Sequence, residues 1–336
     1  MVIYIARPGI PLTEPLEQTT ASLNVTRISL DKAARAADFL RASGDGVMDL
    51  IAHFWDRLPQ TPPLARDDLH LLVVRPVADG SPPAGGVIDF SRAEGVMLYV
   101  PKAHRADVLA KSSAAADAFS TYLAGWERLF RSRESGDNGL GQGGDNSLQN
   151  YYIPINYITG EENGVDAMLP HLLALVGKKS PARKVVNVVM HLPDQTAADH
   201  CEHVRAAKNG DEAALNRWRK QYNQERGILF DADVDAWINS GNVFVYELDK
   251  QIVAAAKFDL TLPNMIEIGG VYTFPEFRRR GIGGELVRDL VWRIRIMKKK
   301  PSLQVDKTNT SALSIYQKAG WKIAGNLARV WLSEAR

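Results

Sequence analysis

The 336-residue sequence contains a single cysteine, Cys201, and no long apolar run. One cysteine cannot form an internal disulfide, so nothing in the sequence calls for an oxidising compartment. The longest apolar stretch, near residues 169–176, is interrupted by Pro170 and His171 and falls far short of the roughly 18 residues that a membrane helix requires. The N-terminus also lacks the basic start and apolar core of a secretory signal. We therefore expect a cytoplasmic protein without a membrane partner.

The sequence has little net charge, since 41 Lys and Arg stand against 39 Asp and Glu, a difference of +2. So small an excess argues against a protein that coats nucleic acid through its overall charge. The hydrophobic share of 45% is ample for buried cores and excludes disorder throughout the chain. At roughly 150 residues per domain, the length predicts about two domains.

The clearest boundary is the segment 135–150, SGDNGLGQGGDNSLQN, which is rich in glycine and small polar residues and predicts a flexible connector. It contains a literal G-x-G-x-x-G, the dinucleotide-binding pattern. That pattern requires a preceding strand and a following helix, whereas charged residues precede it here and polar residues follow. We therefore interpret the segment as a linker inside an N-terminal domain at 1–180, followed by a C-terminal domain at 181–336.

The predicted elements follow the same order in both domains: a strand, helices, three antiparallel strands and a further helix. In the N-terminal domain the pattern predicts a strand at 95–100 and a long alanine-rich helix at 105–130. In the C-terminal domain it predicts a helix at 197–207, a strand at 265–273 and a helix beginning at Gly283. The sequence thus indicates an α/β (α+β) architecture with a repeated order of elements.

The most informative stretch is residues 271–286, VYTFPEFRRRGIGGEL. Pro275 ends a strand because it cannot donate to a ladder. The glycines that follow allow backbone N–H groups to approach a ligand, and the new helix directs its free N–H groups and positive dipole end to the same place. From Arg278 to Lys300 there are nine basic and two acidic residues, or 9 − 2 = +7. This pattern predicts a pyrophosphate site; the alternative is a set of arginines on a solvated surface.

A second stretch, residues 309–321 with the sequence NTSALSIYQKAGW, follows a predicted short strand. The segment from about 185 to 332 resembles the GNAT family of acyl-CoA-dependent N-acyltransferases. The family's phosphate-loop motif, (Q/R)-x-x-G-x-(G/A), is matched by Arg278, Gly281 and Gly283. The family's later pattern, N-x-x-A-x-x-x-Y-x-x-x-G-(F/W), is matched by Asn309, Ala312, Tyr316, Gly320 and Trp321.

This resemblance implies a GNAT fold, a mixed and mostly antiparallel sheet flanked by helices, with acetyl-CoA as the acyl donor. It implies that the backbone of Val271 and Thr273 bonds the pantetheine arm, and that Asn309 anchors the pantetheine or the helix turn beside it. The residues implied to hold the pyrophosphate form one loop: Arg278, Arg279, Arg280, Gly281, Ile282, Gly283 and Gly284.

The resemblance also implies two catalytic residues. Tyr316 matches the family tyrosine that protonates the departing thiolate; the alternative is a core aromatic on an amphipathic helix. Glu267 occupies a place where several members carry a general base, which the chemistry needs because a protonated amine cannot attack a thioester. The alternative for Glu267 is an outward-facing strand residue between Ile266 and Ile268.

His200, Cys201 and His203 resemble metal ligands by residue type. Zinc requires three or four ligands and the sequence shows no second ligand cluster, so we expect no metal.

The N-terminal domain lacks a glycine turn where a second phosphate loop would be expected, after the strand at 95–100. Residues 101–110 read PKAHRADVLA, in which side chains would block phosphates and Asp107 would repel them. We therefore expect either a degenerate GNAT unit or an unrelated α/β domain, without an acyl-CoA site.

Together these features predict an N-acetyltransferase that moves an acetyl group from acetyl-CoA to a primary amine of a small molecule or peptide by direct attack. Neither a metal nor a covalent enzyme intermediate is expected. Two alternatives remain, a non-catalytic acyl-CoA sensor and an interaction scaffold. The sequence predicts no nucleic-acid partner and leaves the acceptor and the oligomeric state open.

Overall fold

The computed structural model describes residues 18–19, 23–28, 30–43, 48, 51–52, 55, 69–76, 90–100, 105–134, 155–227 and 233–333. The chain divides into two compact units, unit 1 (Met1–Val186 with Gly325–Arg336) and unit 2 (Asn187–Ala324). The predicted C-terminal domain ran to the end of the chain, whereas the residues from Gly325 onward pack in unit 1. Among the helices that the structure describes, none combines the length and the apolar character of a membrane span.

Unit 1 contains one mixed sheet and three described helices. Its strands are β1 (Gln18–Thr19), β2 (Leu23–Ile28), β3 (His70–Pro76), β4 (Gly95–Val100), β5 (Arg105–Ala110), β6 (Tyr157–Glu161) and, from Gly325, β13 (Lys322–Trp331). Its helices are α1 (Ala33–Ser43), α2 (Ser113–Glu134) and α3 (Glu162–Leu175). The strand order is β1-β2-β3-β4-β5-β6-β13. All neighbouring strands are antiparallel except β5 and β6, which are parallel and joined through α2.

The strands of unit 2 also run in mixed directions, and four α-helices are described in this unit. Its strands are β7 (Arg183–His191, from Asn187), β8 (Val204–Ala206), β9 (Val243–Leu248), β10 (Gln251–Thr261), β11 (Met265–Thr273) and β12 (Lys300–Asp306). Its helices are α4 (Glu212–Arg226), α5 (Val234–Asn239), α6 (Ile282–Ile296) and α7 (Thr310–Lys318). The strand order is β7-β12-β11-β10-β9-β8, antiparallel except for the parallel pair β11 and β12.

The core of unit 2 lies between the sheet and α6. Leu286 and Leu290 are fully buried on one face of this helix and share a cluster with Ile266 and Ile268 of β11. Because successive strand residues point to opposite faces, Glu267 between the two isoleucines faces away from α6. A second buried cluster forms around Trp218 of α4. The prediction of a mixed, mostly antiparallel sheet flanked by helices is confirmed.

The predicted helix at 105–130 is wrong at its start, because Arg105–Ala110 forms β5 and the helix α2 begins at Ser113. Alanine favours helix, but β5 pairs with a neighbour on each edge, and these tertiary contacts override the intrinsic propensity. The expected loop at 101–110 is wrong for the same reason. The connection from β5 to α2 is only Lys111–Ser112.

The predicted helix at 197–207 is also wrong. Val204–Ala206 forms β8 and pairs with β9, and no helix precedes it in this part of the described chain. The buried carboxylate of Asp289 accepts a hydrogen bond from the Cys201 N–H at 2.9 Å, which replaces the helical partner of that group. The predicted connector at 135–150 lies outside the described residues.

Candidate active site

The connection between β11 and α6 presents an open helix N-terminus. Gly281 is the N-cap residue, has a φ of 80° and receives no side-chain cap. Arg279, with a φ of 64°, also has a left-handed conformation. Within the described residues, the backbone N–H groups of 279–283 have no hydrogen-bond partner. These donors and the positive end of the helix dipole are therefore directed at the same external space, as an anion site requires.

Gly283 and Gly284 keep side chains away from this turn. A Cβ at Gly284 would meet no atom within 4 Å, and one at Gly283 would lie 3.3 Å from Oγ1 of Thr273. Internal packing therefore does not explain the glycine at position 284. Position 284 is next in sequence to the residues whose N–H groups are unbonded, and a backbone turn without side chains is what the close approach of an anion requires.

Arg278 is held against α4. Its Nη2 donates to both carboxylate oxygens of Glu225, at 2.8 and 3.0 Å, and its Nε donates to the Thr273 carbonyl oxygen at 2.9 Å. The Tyr272 hydroxyl donates to the same carboxylate at 2.7 Å. Partial burial raises the pKa of Glu225, but the hydrogen bonds from Tyr272 and Arg278 outweigh it and hold that pKa below its ordinary value. The first residue of the loop motif thus ties the loop to α4.

The other two arginines of the loop are exposed. The guanidinium of Arg280 lies 5.4 Å from the centre of the Phe277 ring. Arg279 and Arg280 add positive charge beside the open turn.

The parallel strands β11 and β12 pair over only part of their length. Their four pairs run from Met265–Lys300 to Ile268–Leu303. Beyond that point β11 continues to Thr273 beside β10, and β12 continues to Asp306 beside β7. Among the described strands, the end of β11 therefore has a paired neighbour on one side only. Val271 and Thr273 lie on this edge.

A bulge in β11 accompanies the separation. Between the pairs Ala255–Tyr272 and Lys257–Gly269, β11 has one more residue than β10. Gly270 lies in this bulge with a φ of 64°, and the Trp218 indole N–H donates to its carbonyl oxygen at 3.0 Å. The indole of α4 thus fixes the place where β11 leaves β12.

Glu267 lies in the paired part of β11, opposite Ser302 of β12, and is partly buried. The Gln304 side-chain Nε2 donates to its Oε2 at 2.8 Å. Sequence reasoning missed Gln304, because only the register between β11 and β12 brings its amide to the carboxylate.

Tyr316 lies on α7 and is partly buried. Its ring packs edge-on against Trp321, with 6.0 Å between the ring centres. Burial raises the pKa of Tyr316, and the nearby Tyr222 adds to the increase. The residue is therefore packed as the amphipathic pattern predicts, and its hydroxyl keeps the proton that an acid would donate. Asn309 caps the same helix, since its side chain accepts the Ala312 N–H at 3.3 Å.

The histidine and cysteine cluster has internal partners. Asp289 on α6 is fully buried, and its carboxylate lies 2.8 Å from His200 Nδ1 and accepts the Arg293 Nε–H at 2.5 Å. His203 stacks on Tyr246, with ring centres 5.3 Å apart. The described residues contain no group of three or more His, Cys, Asp and Glu placed to hold a metal ion. His200 and Cys201 instead connect their segment to α6 through hydrogen bonds with Asp289.

Residues 212–321 match the family model for the acetyltransferase (GNAT) family. Unit 2 therefore contains a GNAT domain. The matched segment begins at the first residue of α4 and ends at Trp321, so it includes both sequence patterns on which the resemblance was based. The family prediction for this part of the chain is confirmed.

Two solved structures are similar to this chain over most of its length. A GCN5-related N-acetyltransferase from Sphaerobacter thermophilus is 16% identical, with 94% of this chain and 97% of that chain covered and a TM-score of 0.51. A Drosophila protein is 10% identical, with 92% and 98% covered and a TM-score of 0.52. At these identities the similarity shows the fold alone. None of the curated proteins compared with this chain matches it.

Proposed function

We propose that unit 2 transfers an acetyl group from acetyl-CoA to a primary amine of a small molecule or peptide. The observation that carries the proposal is the uncapped N-terminus of α6 beside the one-sided edge of β11, within a GNAT domain. The unbonded loop N–H groups from Arg279 to Gly283 would hold the pyrophosphate, and Gly284 would leave room beside them. The backbone at Val271 and Thr273 would bond the pantetheine arm, and Asn309 would order the adjoining turn.

The proposed chemistry uses two side chains of the cleft. Glu267 removes a proton from the amine, whose nitrogen then attacks the thioester carbonyl and forms the new C–N bond. The C–S bond breaks, the thiolate takes its proton from the Tyr316 hydroxyl, and the resulting phenolate takes up the second proton that the new amide nitrogen must lose. A backbone N–H near Val271 would stabilise the developing negative charge on the carbonyl oxygen. This sequence of steps needs no covalent enzyme intermediate.

We also propose that unit 1 is a degenerate copy of the same fold. Its order β2-β3-β4-β5-β6-β13 parallels β8-β9-β10-β11-β12-β7 in unit 2. In each unit one parallel pair of strands has four residue pairs. Asp107 faces Thr159 in the third pair of unit 1, as Glu267 faces Ser302 in the third pair of unit 2. The same strand order and register in both units support a structural repeat, although the two halves of the sequence do not share the residues themselves.

Unit 1 would nevertheless lack an acyl-CoA site. Its loop of two residues ends at Ser112, whose hydroxyl accepts the Ala115 N–H at 3.2 Å and so occupies the start of α2. Gly164 of α3 lies against the end of β5, where an added Cβ would be 3.1 Å from the Ala110 carbonyl oxygen. The chain itself therefore fills the space beside β5, and we expect one acetyl-CoA per chain.

The proposal is tested by Gly284→Asp, compared with Gly284→Asn. Position 284 has room for either side chain, and the two differ mainly in charge. The carboxylate should weaken acetyl-CoA binding by roughly tenfold or more relative to asparagine, because about 1.4 kcal/mol of repulsion is a factor of ten in affinity. Calorimetry measures the affinities, and equal affinities in the two variants would contradict the proposed phosphate site.

Turnover is measured by thiol release with acetyl-CoA and a panel of amines. The panel contains tyramine, spermidine, glucosamine, and peptides with a free α-amine or a free lysine. We expect release with at least one amine in the wild type, and at least tenfold less in Gly284→Asp at subsaturating acetyl-CoA. Binding without turnover across the whole panel would instead indicate a non-catalytic acyl-CoA sensor.

A further inference from the structure

We propose that Gln304 and Asn187 are positioning residues that hold the Glu267 carboxylate in its charged form and in a single orientation. This inference rests on the proposed role of Glu267 as general base. It concerns residues outside the phosphate loop and outside the two family patterns.

The three side chains form a chain of hydrogen bonds across three neighbouring strands, β7, β12 and β11. Gln304 Nε2 donates to Glu267 Oε2 at 2.8 Å, and Asn187 Nδ2 donates to Gln304 Oε1 at 3.2 Å. Gln304 lies between Leu303 and Val305, which are buried in the α6 core. It therefore faces the opposite side of the sheet, the side that Glu267 also faces.

The carboxylate of Glu267 determines which group donates and which accepts in each of these hydrogen bonds. An ionised carboxylate only accepts hydrogen bonds, so the Gln304 amide must turn its NH₂ group toward Glu267. Its carbonyl oxygen then faces β7 and requires a donor, which Asn187 supplies. A rotated Gln304 amide would place two acceptors against each other at Glu267 and two donors against each other at Asn187. Each amide is thereby fixed by the next.

The hydrogen bond from Gln304 affects the pKa of Glu267, on which its action as a general base depends. A hydrogen bond donated to the charged form of a carboxylate favours that form and lowers its pKa. The base then remains unprotonated at lower pH, and its Oε2 is held at one place by the Gln304 amide. Loss of the donor should therefore weaken catalysis mainly at low pH.

Other titratable and charged groups also lie on the elements around this face of the sheet. Lys257 and Asp259 on β10 form an ion pair with 2.5 Å between Nζ and Oδ1, and His191 of β7 pairs opposite Ser302. Asp306 of β12 lies two residues beyond Gln304 and pairs opposite Asn187. Tyr222 and Arg226 on α4 interact electrostatically with Tyr316 on α7. The variants below leave all of these groups unchanged, so their contribution is common to every protein compared.

The first measurement follows the Glu267 carboxyl directly. Full-length protein is labelled with ¹³Cδ-glutamate and titrated by NMR, with the Glu267 signal assigned by its absence in Glu267→Gln. We expect Gln304→Met, which keeps the length of the side chain but removes the donor, to raise the pKa of Glu267 by about 1. Gln304→Glu should raise it further, because a second carboxylate disfavours the charged form.

Asn187→Leu is the variant one step further along the chain of hydrogen bonds. It leaves the Gln304 donor in place but removes the hydrogen bond that Asn187 donates to Gln304 Oε1, so we expect a smaller rise of the Glu267 pKa in the same direction. Gln251→Met, the same substitution at an exposed strand position of β10, is the matched control and should reproduce the wild-type titration.

The second measurement is the pH dependence of kcat/KM with acetyl-CoA and the panel amine that gives the fastest thiol release. In Gln304→Met the acidic limb should move to higher pH by about 1, which means about tenfold lower kcat/KM below that limb. Activity should recover at high pH, and the KM for acetyl-CoA should remain that of the wild type. A merely structural residue would lower activity equally at all pH values.

The outcomes distinguish the inference from the proposed function. An unchanged Glu267 titration in the folded Gln304 variants overturns the inference, whether or not the protein turns over. A shifted titration with a pH-independent loss of kcat/KM also overturns it. Wild-type protein without turnover on the whole panel overturns the proposed function. Should Gln304→Met fail to fold, Gln304→Glu and Asn187→Leu provide the same tests.

Discussion

His70 is a buried histidine on β3, with 1% of its surface exposed. Its Nδ1 lies 3.0 Å from the Tyr122 hydroxyl, and its ring packs edge-on against Tyr99. Burial, and to a smaller extent the charge of Arg27, lowers the pKa of His70 to about 3. The histidine is therefore neutral in the folded protein at pH values where an unfolded chain would bind a proton.

We predict that unit 1 loses stability as the pH falls from about 6.5 toward 3. The folded pKa lies below the unfolded one, so the stability is complete above the unfolded pKa and is lost as the pH falls through this range. The free energy of unfolding should fall by up to roughly 1.4 kcal/mol per pH unit. Denaturant unfolding at a series of pH values measures the slope, which His70→Phe should flatten.

Tyr122→Phe is the control for this prediction. It removes the hydroxyl but leaves the histidine buried, and burial is the main cause of the lowered pKa. The slope should therefore persist in Tyr122→Phe. The same slope in His70→Phe as in the wild type would contradict the prediction.

Individual side chains were the part of the site that the sequence could predict least. The loop motif predicts the position of Arg278 but not its partner Glu225, which lies 53 residues earlier in the chain. Glu267 was predicted, whereas its donor Gln304 depends on the register of β12. Spacing rules describe neighbours within one element, and these contacts join elements that only the folded sheet brings together.

At the scale of elements, the bulge of β11 depends on Gly270, a position where the neighbouring Trp218 leaves no room for a side chain. Gly270 has a φ of 64°, and a Cβ there would lie 2.8 Å from the Trp218 ring. The indole N–H also donates to the Gly270 carbonyl oxygen. A side chain at this position would therefore strain the backbone and displace the ring that supports the bulge.

We predict that Gly270→Ala is more destabilising than Gly241→Ala. Gly241 has a φ of 66°, but a methyl group added there would meet no atom within 4 Å, so its substitution adds only backbone strain, about 1–2 kcal/mol. Gly270→Ala should add the displacement of Trp218 to that strain. Denaturant unfolding followed by tryptophan fluorescence measures both. Equal losses of stability would show that Trp218 moves aside freely.

Elements with strong local signals were predicted well. The strand β11 has the predicted bounds, and α6 begins within one residue of the predicted Gly283, because Pro275 and the glycines mark both ends of the connection. β5 and β8 were predicted as helix. Their residues favour helix locally, and only pairing with β4, β6 and β9 makes them strands.

At the scale of the whole chain, unit 2 is inserted between two parts of unit 1. Leu327 to Trp331 of β13 pair with β6, although more than 160 residues separate the two strands in the sequence. Ala328, Val330 and Leu332 are fully or almost fully buried in the core of unit 1. No local feature of the sequence shows that the residues from Gly325 onward belong to unit 1. The prediction therefore assigned them to the C-terminal domain at 181–336.

We predict that Leu332→Ala destabilises unit 1 rather than unit 2. Removing a buried leucine side chain lowers the free energy of unfolding by about 2–5 kcal/mol. Hydrogen exchange should accelerate in β6 and α3, while α6 and β11 keep their protection. Leu286→Ala, a fully buried leucine of α6, is the matched control and should have the opposite pattern. Faster exchange confined to unit 2 in Leu332→Ala would contradict the division into units.

The position of β13 also determines the order in which the chain can fold during synthesis. The ribosome releases all of unit 2 before it releases Gly325 and the residues that follow. The strands of unit 2 can therefore pair with one another before β13 is available to pair with the edge of β6. An uncovered strand edge pairs readily with other chains, so we expect the nascent unit 1 to be most prone to aggregation before β13 leaves the ribosome.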